Sequence, residues 1–177
     1  MSYPVFASGD VLNASDMNAV GLWRVKSQTV GTAVASVTVA SAFSADYDNY
    51  RVIYSGGTMS AGTALTFKLG TATANVYGVY QYVTYTTGVY SNAVDSNSSF
   101  FTYFGGGDTV SAAGVMDLLG PNVAKPTRVV SGPIHYGNIF GTYTGIQADS
   151  VQYTAFTIAP FTGTFTGGTI RVYGYRN

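Results

Sequence analysis

The sequence contains no glutamate, and all eight of its acidic residues are aspartate. Lysine occurs only at Lys26, Lys68 and Lys125, whereas valine, threonine, tyrosine, phenylalanine and glycine are abundant. Glutamate and lysine favour helices, while β-branched and aromatic residues favour pleated strands. This composition argues against a helical enzyme domain and predicts an all-β fold.

Alternation of apolar and polar residues predicts roughly ten strands separated by glycine- and asparagine-rich turns. They are expected at residues 23–30, 34–39, 50–54, 64–69, 76–85, 100–104, 115–119, 127–130, 153–158 and 169–175. Gly31 is expected to turn a hairpin between the first two, and residues 105–107 to form a loop with positive φ. The last strand is expected to tie the end of the chain into the sheet. Strand spacing and chain length favour one antiparallel, jelly-roll-like β-sandwich over residues 22–177.

Residues 1–21 are expected to form an extension with one short helix over residues 13–20. Asn13 suits the N-cap, Asp16 suits the positive end of the helix dipole, and Gly21 ends the helix. Two turns of helix are not stable alone in water, so the apolar side chains of the extension need a surface to pack on. That surface is either the end of the β-domain or a neighbouring chain. The apolar residues concerned are Val5, Phe6, Val11, Leu12, Met17 and Val20.

Charged residues make up only 9% of the chain, the formal net charge is zero, and 46% of the residues are hydrophobic. A surface this poor in charge predicts a homo-oligomer, or a subunit of a larger particle, that covers part of it. The scattered lysines and arginines argue against nucleic-acid binding. No apolar run reaches the ~20 residues of a membrane span, and the first residues do not resemble a secretory signal. No membrane insertion and no secretion by the general route are expected.

Catalytic and cofactor-binding patterns are scarce. The chain has no cysteine and a single histidine, His135, which excludes sites that need two histidines, and it has no Gly-x-Ser-x-Gly motif. We expect His135 to be structural or exposed, and we expect neither enzymatic activity nor a cofactor. Asp117, between Val-Met and Leu-Leu, is the one aspartate in a setting that suits a raised pKa, although an outward position on a strand explains it equally well.

Asp46, Asp48 and Asn49 resemble the start of a calcium loop. An EF-hand loop requires glycine at its sixth position, where Arg51 stands, and glutamate at its twelfth. The segment is therefore interpreted as Asx turns that lead into a strand, without a metal.

Tyrosine is unusually frequent, with fifteen in the chain. The densest group comprises Tyr77, Tyr80, Tyr82, Tyr85 and Tyr90. Tyrosine rings make low-entropy contacts with sugars and proteins, so this group is a candidate receptor contact. The alternative is that these rings cover sheet faces and line subunit interfaces, with Tyr80 and Tyr82 on one face of a strand.

Three segments resemble a known family. Residues 6–20, FASGDVLNASDMNAV, resemble the amino-terminal attachment phrase F-x-x-G-[DE]-x-L-[TN]-A-x-x-[ML]-N of many tailed-bacteriophage tail and fibre proteins. Residues 43–53 and 168–176 resemble phrases from the β-rich carboxy-terminal modules of such virion proteins. The resemblance does not extend to residues 71–150.

This resemblance implies that residues 1–21 attach to other virion proteins and that the β-domain projects outward, as a trimer. It favours a minor tail or tail-fibre protein, made in the host cytoplasm, whose tyrosines contact a bacterial surface glycan or protein. A head-fibre or decoration protein of the capsid is the alternative. A glycan depolymerase is a third hypothesis, and it would require two aspartate carboxylates within ~5–10 Å of each other beside an aromatic groove.

If Asp46 and Asp48 only form turns, calcium should not stabilise the protein. We expect the Tm of the wild type and of the Asp46→Ala and Asp48→Ala variants to be unchanged when calcium is added, as measured by differential scanning calorimetry. A calcium-dependent rise in Tm that both substitutions remove would instead identify a metal site.

Overall fold

The computed structural model describes residues 21–175, which form twelve β-strands and no helix. The strands are β1 (Leu22–Thr29), β2 (Val37–Val39), β3 (Asn49–Met59), β4 (Thr63–Leu69), β5 (Val76–Thr84), β6 (Val89–Ser98), β7 (Phe101–Gly107), β8 (Ala112–Leu119), β9 (Thr127–Tyr136), β10 (Ile139–Gln147), β11 (Phe156–Pro160) and β12 (Phe165–Tyr175). Every strand pairing is antiparallel. The predicted all-β class is confirmed, while the helix predicted over residues 13–20 lies outside the described residues.

Strand β8 joins the two layers of the sandwich. One of its edges pairs with β3, and the other pairs first with β7, through residues 112–114, and then with β9, through residues 116–119. The larger layer therefore has the order β1-β12-β3-β8-β9-β10-β5-β6, and the smaller layer has the order β2-β11-β4-β7. In the larger layer Leu22 of β1 lies opposite Tyr175 of β12.

Two strands, β6 and β10, were not predicted from the sequence. Most residues of β6 are polar or exposed, and glycines interrupt the apolar alternation of β10, so neither strand shows a clear period of two. The hairpin predicted at Gly31 is wrong, because β1 pairs with β12 and β2 pairs with β11. The two strands that follow each other in sequence belong to different layers.

The loop predicted at residues 105–107 is also wrong. These three glycines lie within β7, are buried, and pair with residues 112–114 of β8. A Cβ atom at Gly105 would stand 2.5 Å from the Cα atom of Gly114. Glycine is needed here because two backbones approach closely, and not because φ is positive.

Aromatic rings fill most of the space between the layers. Phe67 of β4 stacks on Phe156 of β11 with centroids 4.7 Å apart, and Tyr103 of β7 stacks on Tyr80 of β5 at 4.2 Å. The fully buried aromatic residues are Tyr50, Tyr54, Tyr80, Tyr143, Phe67, Phe101, Phe104, Phe156 and Phe165. Rings of this size provide much of the apolar burial that stabilises a sandwich.

Most of the buried tyrosine hydroxyls have hydrogen-bond partners, as buried polar groups require. Tyr50 Oη donates to the carbonyl oxygen of Ser44 at 2.8 Å and accepts from its backbone N–H at 2.8 Å. Tyr54 Oη donates to the carbonyl oxygen of Gly167 at 3.0 Å, and Tyr143 Oη donates to Asp95 Oδ2 at 2.7 Å. The Tyr80 hydroxyl has no partner among the described residues.

Several strand glycines make room for these rings. A Cβ atom at Gly57 would collide with the hydroxyl of Tyr54, and one at Gly78 would collide with the hydroxyl of Tyr143. Gly174 stands in the same relation to the ring of Tyr47. The abundance of glycine and the abundance of tyrosine are therefore linked, because each buried ring occupies the volume that a neighbouring side chain would need.

The Gly78→Ala substitution tests this packing. The new methyl group would displace the Tyr143 ring and approach the carbonyl oxygen of Thr144 to 2.9 Å, so we expect a loss of about 1–3 kcal/mol in the free energy of unfolding. Urea denaturation measures the loss. Gly62→Ala is the matched control, since its Cβ would lie 3.9 Å from the nearest atom. Equal destabilisation by both substitutions would contradict the packing argument.

Candidate contact surface

The five tyrosines singled out from the sequence do not share one environment. Tyr77, Tyr85 and Tyr90 are exposed, and Tyr90 of β6 has 86% of its surface in contact with solvent. Tyr82 is half-buried. Tyr80 is completely buried, so its side chain cannot reach a receptor from the surface of this chain.

The stacking of Tyr80 explains its burial. Its ring lies between those of Tyr103 and Tyr82, at centroid distances of 4.2 and 5.0 Å. The predicted common face of Tyr80 and Tyr82 is confirmed, and it is the inner face. Burial raises the pKa of Tyr80 and of Tyr103, and it raises the pKa of the nearby Tyr136 to about 12. All three phenols are therefore neutral at physiological pH.

The outer face of β10, β5 and β6 is arranged in cross-strand rows. Phe140, Val83 and Tyr90 are register partners in one row, and the next consists of Thr142, Gln81 and Asn92. Side chains that lie directly opposite each other on neighbouring strands share a face and are in contact range. An aromatic row thus lies beside a row of hydroxyl and amide groups.

A shallow groove of about 500 Å³ lies over these two rows. It is lined by Gln81, Tyr82, Val83, Tyr90, Ser91, Asn92, Phe140, Gly141 and Thr142. None of these lining residues is charged. The groove offers aromatic rings for stacking together with uncharged donors and acceptors, which suits an uncharged polar ligand.

Asp95 anchors β6, the strand that carries Tyr90, to the rest of the fold. Its Oδ2 atom accepts from the Tyr143 hydroxyl at 2.7 Å and from the backbone N–H of Thr102 at 3.0 Å, and Oδ1 accepts from Thr102 Oγ1 at 2.5 Å. Burial and this carboxylate together raise the pKa of Tyr143. The interaction connects β6 with β7 and β10, and so fixes the position of the outer rows.

His135 lies at the end of the aromatic row, consistent with the expectation that it is structural or exposed. Its ring stacks on Phe140 at 4.5 Å and lies 6.2 Å from the ring of Tyr85. It is half-buried. We assign it a packing contact at the border of the groove.

The pKa of Asp117 is lowered, so the suggested raised value is wrong and the outward position on a strand is correct. Burial favours its neutral form, but hydrogen bonds from Arg51 and Tyr175 outweigh this effect. Arg51 donates to both carboxylate oxygens, at 2.8 and 2.6 Å, and Tyr175 Oη donates to Oδ1 at 2.6 Å. Asp117 links β8, β3 and β12 as an ionised carboxylate.

The segment interpreted as Asx turns is held by one local and one long-range hydrogen bond. Ser44 Oγ donates to Asp46 Oδ2 at 2.9 Å, and the carbonyl oxygen of Asp48 accepts from the backbone N–H of Gly120 at 2.9 Å. Within residues 21–175 no group of three or more metal-ligating side chains is suited to hold an ion. In the same range no helix is long and apolar enough to cross a membrane.

Several residues of this surface were missed in the sequence analysis. Gln81, Asn92, Phe140 and Thr142 line the groove, and Asp95 supports it. Two of the three strands involved, β6 and β10, were not recognised, so the residues that face each other across these strands could not be predicted. The candidate attachment residues Val5, Phe6, Val11, Leu12, Met17 and Val20 lie outside the described residues.

Comparison with known proteins gives little further information. No protein-family model matches the sequence, and no curated protein is similar to it. The tripod (BppUct-A-L) from the baseplate of bacteriophage Tuc2009 is 13% identical, with 100% of this chain and 75% of that chain covered and a TM-score of 0.26. A structure of the infectious bursal disease virus Gt strain is 8% identical, with 88% and 39% covered and a TM-score of 0.14. At these TM-scores neither likeness defines the fold or the function.

A double-mutant cycle tests the anchoring role of Asp95. Asp95→Ala and Tyr143→Phe each remove one partner of a buried hydrogen bond, so we expect a coupling of about 1–2 kcal/mol in the free energy of unfolding. Urea denaturation of the single and double variants measures it.

The matched control pairs Tyr143→Phe with Asp108→Ala, since the side chain of Asp108 accepts hydrogen bonds from Val110 and Ser111 within its own turn. That pair should be additive within about 0.5 kcal/mol. Additivity of the Asp95 and Tyr143 substitutions would contradict the anchoring role.

Proposed function

We propose that this protein is a structural component of a tailed-bacteriophage virion, a minor tail or tail-fibre subunit that forms a homo-oligomer. Residues 1–21 attach it to other virion proteins, and the β-sandwich projects from the particle. The trimeric state and the tail location come from the sequence resemblance. The head-fibre or decoration role on the capsid is the alternative that the experiment below separates.

One observation carries the proposal. Residues 43–53 and 168–176, which resemble virion-protein phrases and stand far apart in sequence, include the neighbouring strands β3 and β12. Arg51 pairs with Tyr173, and Ile53 with Arg171. The two phrases therefore supply parts of one antiparallel ladder, held further by the bond from Tyr175 to Asp117, and so belong to a single structural unit.

The groove and its aromatic row support a binding role over a catalytic one. Tyr90 and Phe140 flank Gln81 and Asn92, a combination that can stack on a sugar or peptide and hydrogen-bond to it. A depolymerase would need two carboxylates beside this groove, and its lining contains none. We therefore propose no enzymatic activity. The exposed tyrosines contact either the host surface or another subunit.

Immunogold labelling of intact virions with an antibody against the β-domain tests this function. We expect electron microscopy to show label on the tail. Label over the head would favour the capsid role, and particles without label would contradict a virion protein altogether.

Virions assembled with a chain that lacks residues 1–21 provide the control. We expect this chain to keep the circular dichroism spectrum of a β-protein and to be absent from particles, because the attachment segment is missing. Incorporation of the truncated chain at the wild-type level would refute the attachment role of residues 1–21.

A further inference from the structure

The apolar character of the outer face continues beyond the groove. Val130 of β9, Thr144 of β10, Val79 of β5 and Val94 of β6 are register partners in one row. Val79, Val94 and Val130 are all exposed, and Val94 has 64% of its surface in contact with solvent. Val79 and Val94 are adjacent across the sheet, and only Thr144 separates them from Val130, so the row presents a mainly apolar surface.

A second row runs parallel to the first. Leu119 of β8, Arg128 of β9, Ile146 of β10 and Tyr77 of β5 follow each other across the same face. Leu119 and Tyr77 are exposed. We call these two rows, together with the row of Phe140, Val83 and Tyr90, the apolar face.

The apolar face is almost free of charge. Strands β5, β6 and β10 contain one charged residue, Asp95, whose carboxylate is directed to Thr102 and Tyr143. Within the face itself Arg128 of β9 is charged and exposed, and the paired Arg51 and Asp117 lie beside the face on β3 and β8. A partner could cover the centre of the face without burying an unpaired charge.

The free edge next to this face has less protection against association than the other two edges described. Edge strand β1 carries Arg24, Lys26 and a bulge between them, and edge strand β2 has only three residues. Charges, bulges and short length normally prevent edges from pairing with other chains. Edge strand β6 has ten residues without lysine, arginine or proline, and its pairing with β5 is irregular only between Asp95 and Ser98. The edge over residues 89–94 therefore lacks these features.

We infer that the apolar face is covered by a second copy of this chain, an inference that rests on the proposed homo-oligomer and assigns its interface. Five strands of eight to ten residues, about 4.8 Å apart, present a face of roughly 700 Å². A stable interface buries about 800 Å² on each partner. The face is therefore of the size that one protein partner covers.

The charge balance favours another copy of the chain as the partner. The chain has eight positive and eight negative residues and a formal net charge of zero, so no net repulsion accumulates as copies associate. Two copies that meet through the outer side of β10, β5 and β6 also bring no like charges together, because the outer positions of these strands carry none.

The absence of cysteine from the sequence makes a direct test possible, since a single introduced thiol is unique. Val94→Cys places it on the apolar face, and Val110→Cys places it at a valine that is 80% exposed outside the face. In the full-length protein at micromolar concentration, we expect the thiol at position 94 to react with a thiol reagent at least ~10-fold more slowly than that at position 110. After unfolding in urea the two rates should be equal.

Light scattering on lysine variants gives an independent measurement. We expect the wild type to have a multiple of 18.6 kDa, Val94→Lys to have the monomer mass, and Val110→Lys to keep the wild-type mass. Both valines are exposed in the single chain, so lysine reaches water at either position and both variants should keep the wild-type circular dichroism spectrum.

The outcomes separate this inference from the proposed function. A monomeric wild type would overturn it, and so would equal reactivity of the two thiols or a Val94→Lys variant that keeps the wild-type mass. An oligomer with a reactive thiol at position 94 would place the interface elsewhere and leave the virion role intact. The immunogold result does not depend on any of these measurements.

Discussion

The packing of tyrosine rings over strand glycines is the constraint on which the rest of this structure depends. A strand that contributes Gly78 or Gly57 gives up a side chain, and the neighbouring ring of Tyr143 or Tyr54 takes the space. The ring buries more apolar area than the lost side chain would have done, and its hydroxyl reaches a polar group beyond the strand. Core packing and inter-strand hydrogen bonding are thereby provided by the same residues.

This arrangement also explains how a fold without cysteine and with few charges fixes its outer strands. β6 contributes little to the core, yet Asp95 reaches past its neighbour to the hydroxyl of the buried Tyr143. Because that ring is held against Gly78, the carboxylate has a defined partner. The position of Tyr90 on the surface is thus linked to packing in the interior through two contacts: that of Gly78 with the Tyr143 ring, and that of the Tyr143 hydroxyl with Asp95.

The sequence predicted the fold correctly where composition or a clear apolar alternation pointed to one structure. The absence of glutamate and the β-branched and aromatic composition predicted the all-β class, and β3, β4, β5 and β12 were located from their alternation. β10 was missed because Gly141 and Gly145 face buried rings and remove the apolar half of its pattern. Residues 105–107 were misread because glycine signals a turn and a close backbone approach equally.

The candidate surface was less predictable than the fold. The tyrosine cluster was recognised, but one-dimensional spacing could not distinguish Tyr80, which is buried in a ring stack, from the exposed Tyr90. Gln81 and Asn92 became neighbours only through the pairing of β5 with β6. Cross-strand register is set by non-local contacts, and a single sequence does not reveal it.

The pairing of Leu22 with Tyr175 places the start of β1 and the end of β12 at the same end of the β-domain. Successive register partners across the sheet connect this pair with Tyr77, so all three residues lie at the same end of the strands. The groove and the turn at residues 85–88 lie towards the opposite end. In the proposed arrangement, a particle that holds the chain by its first residues also has Tyr175 close to its surface, and the turn at residues 85–88 lies at the end of the domain away from the particle. A label joined after the last residue would lie on the side of the domain that faces the particle. It would leave the opposite end, with the turn at residues 85–88, unobstructed.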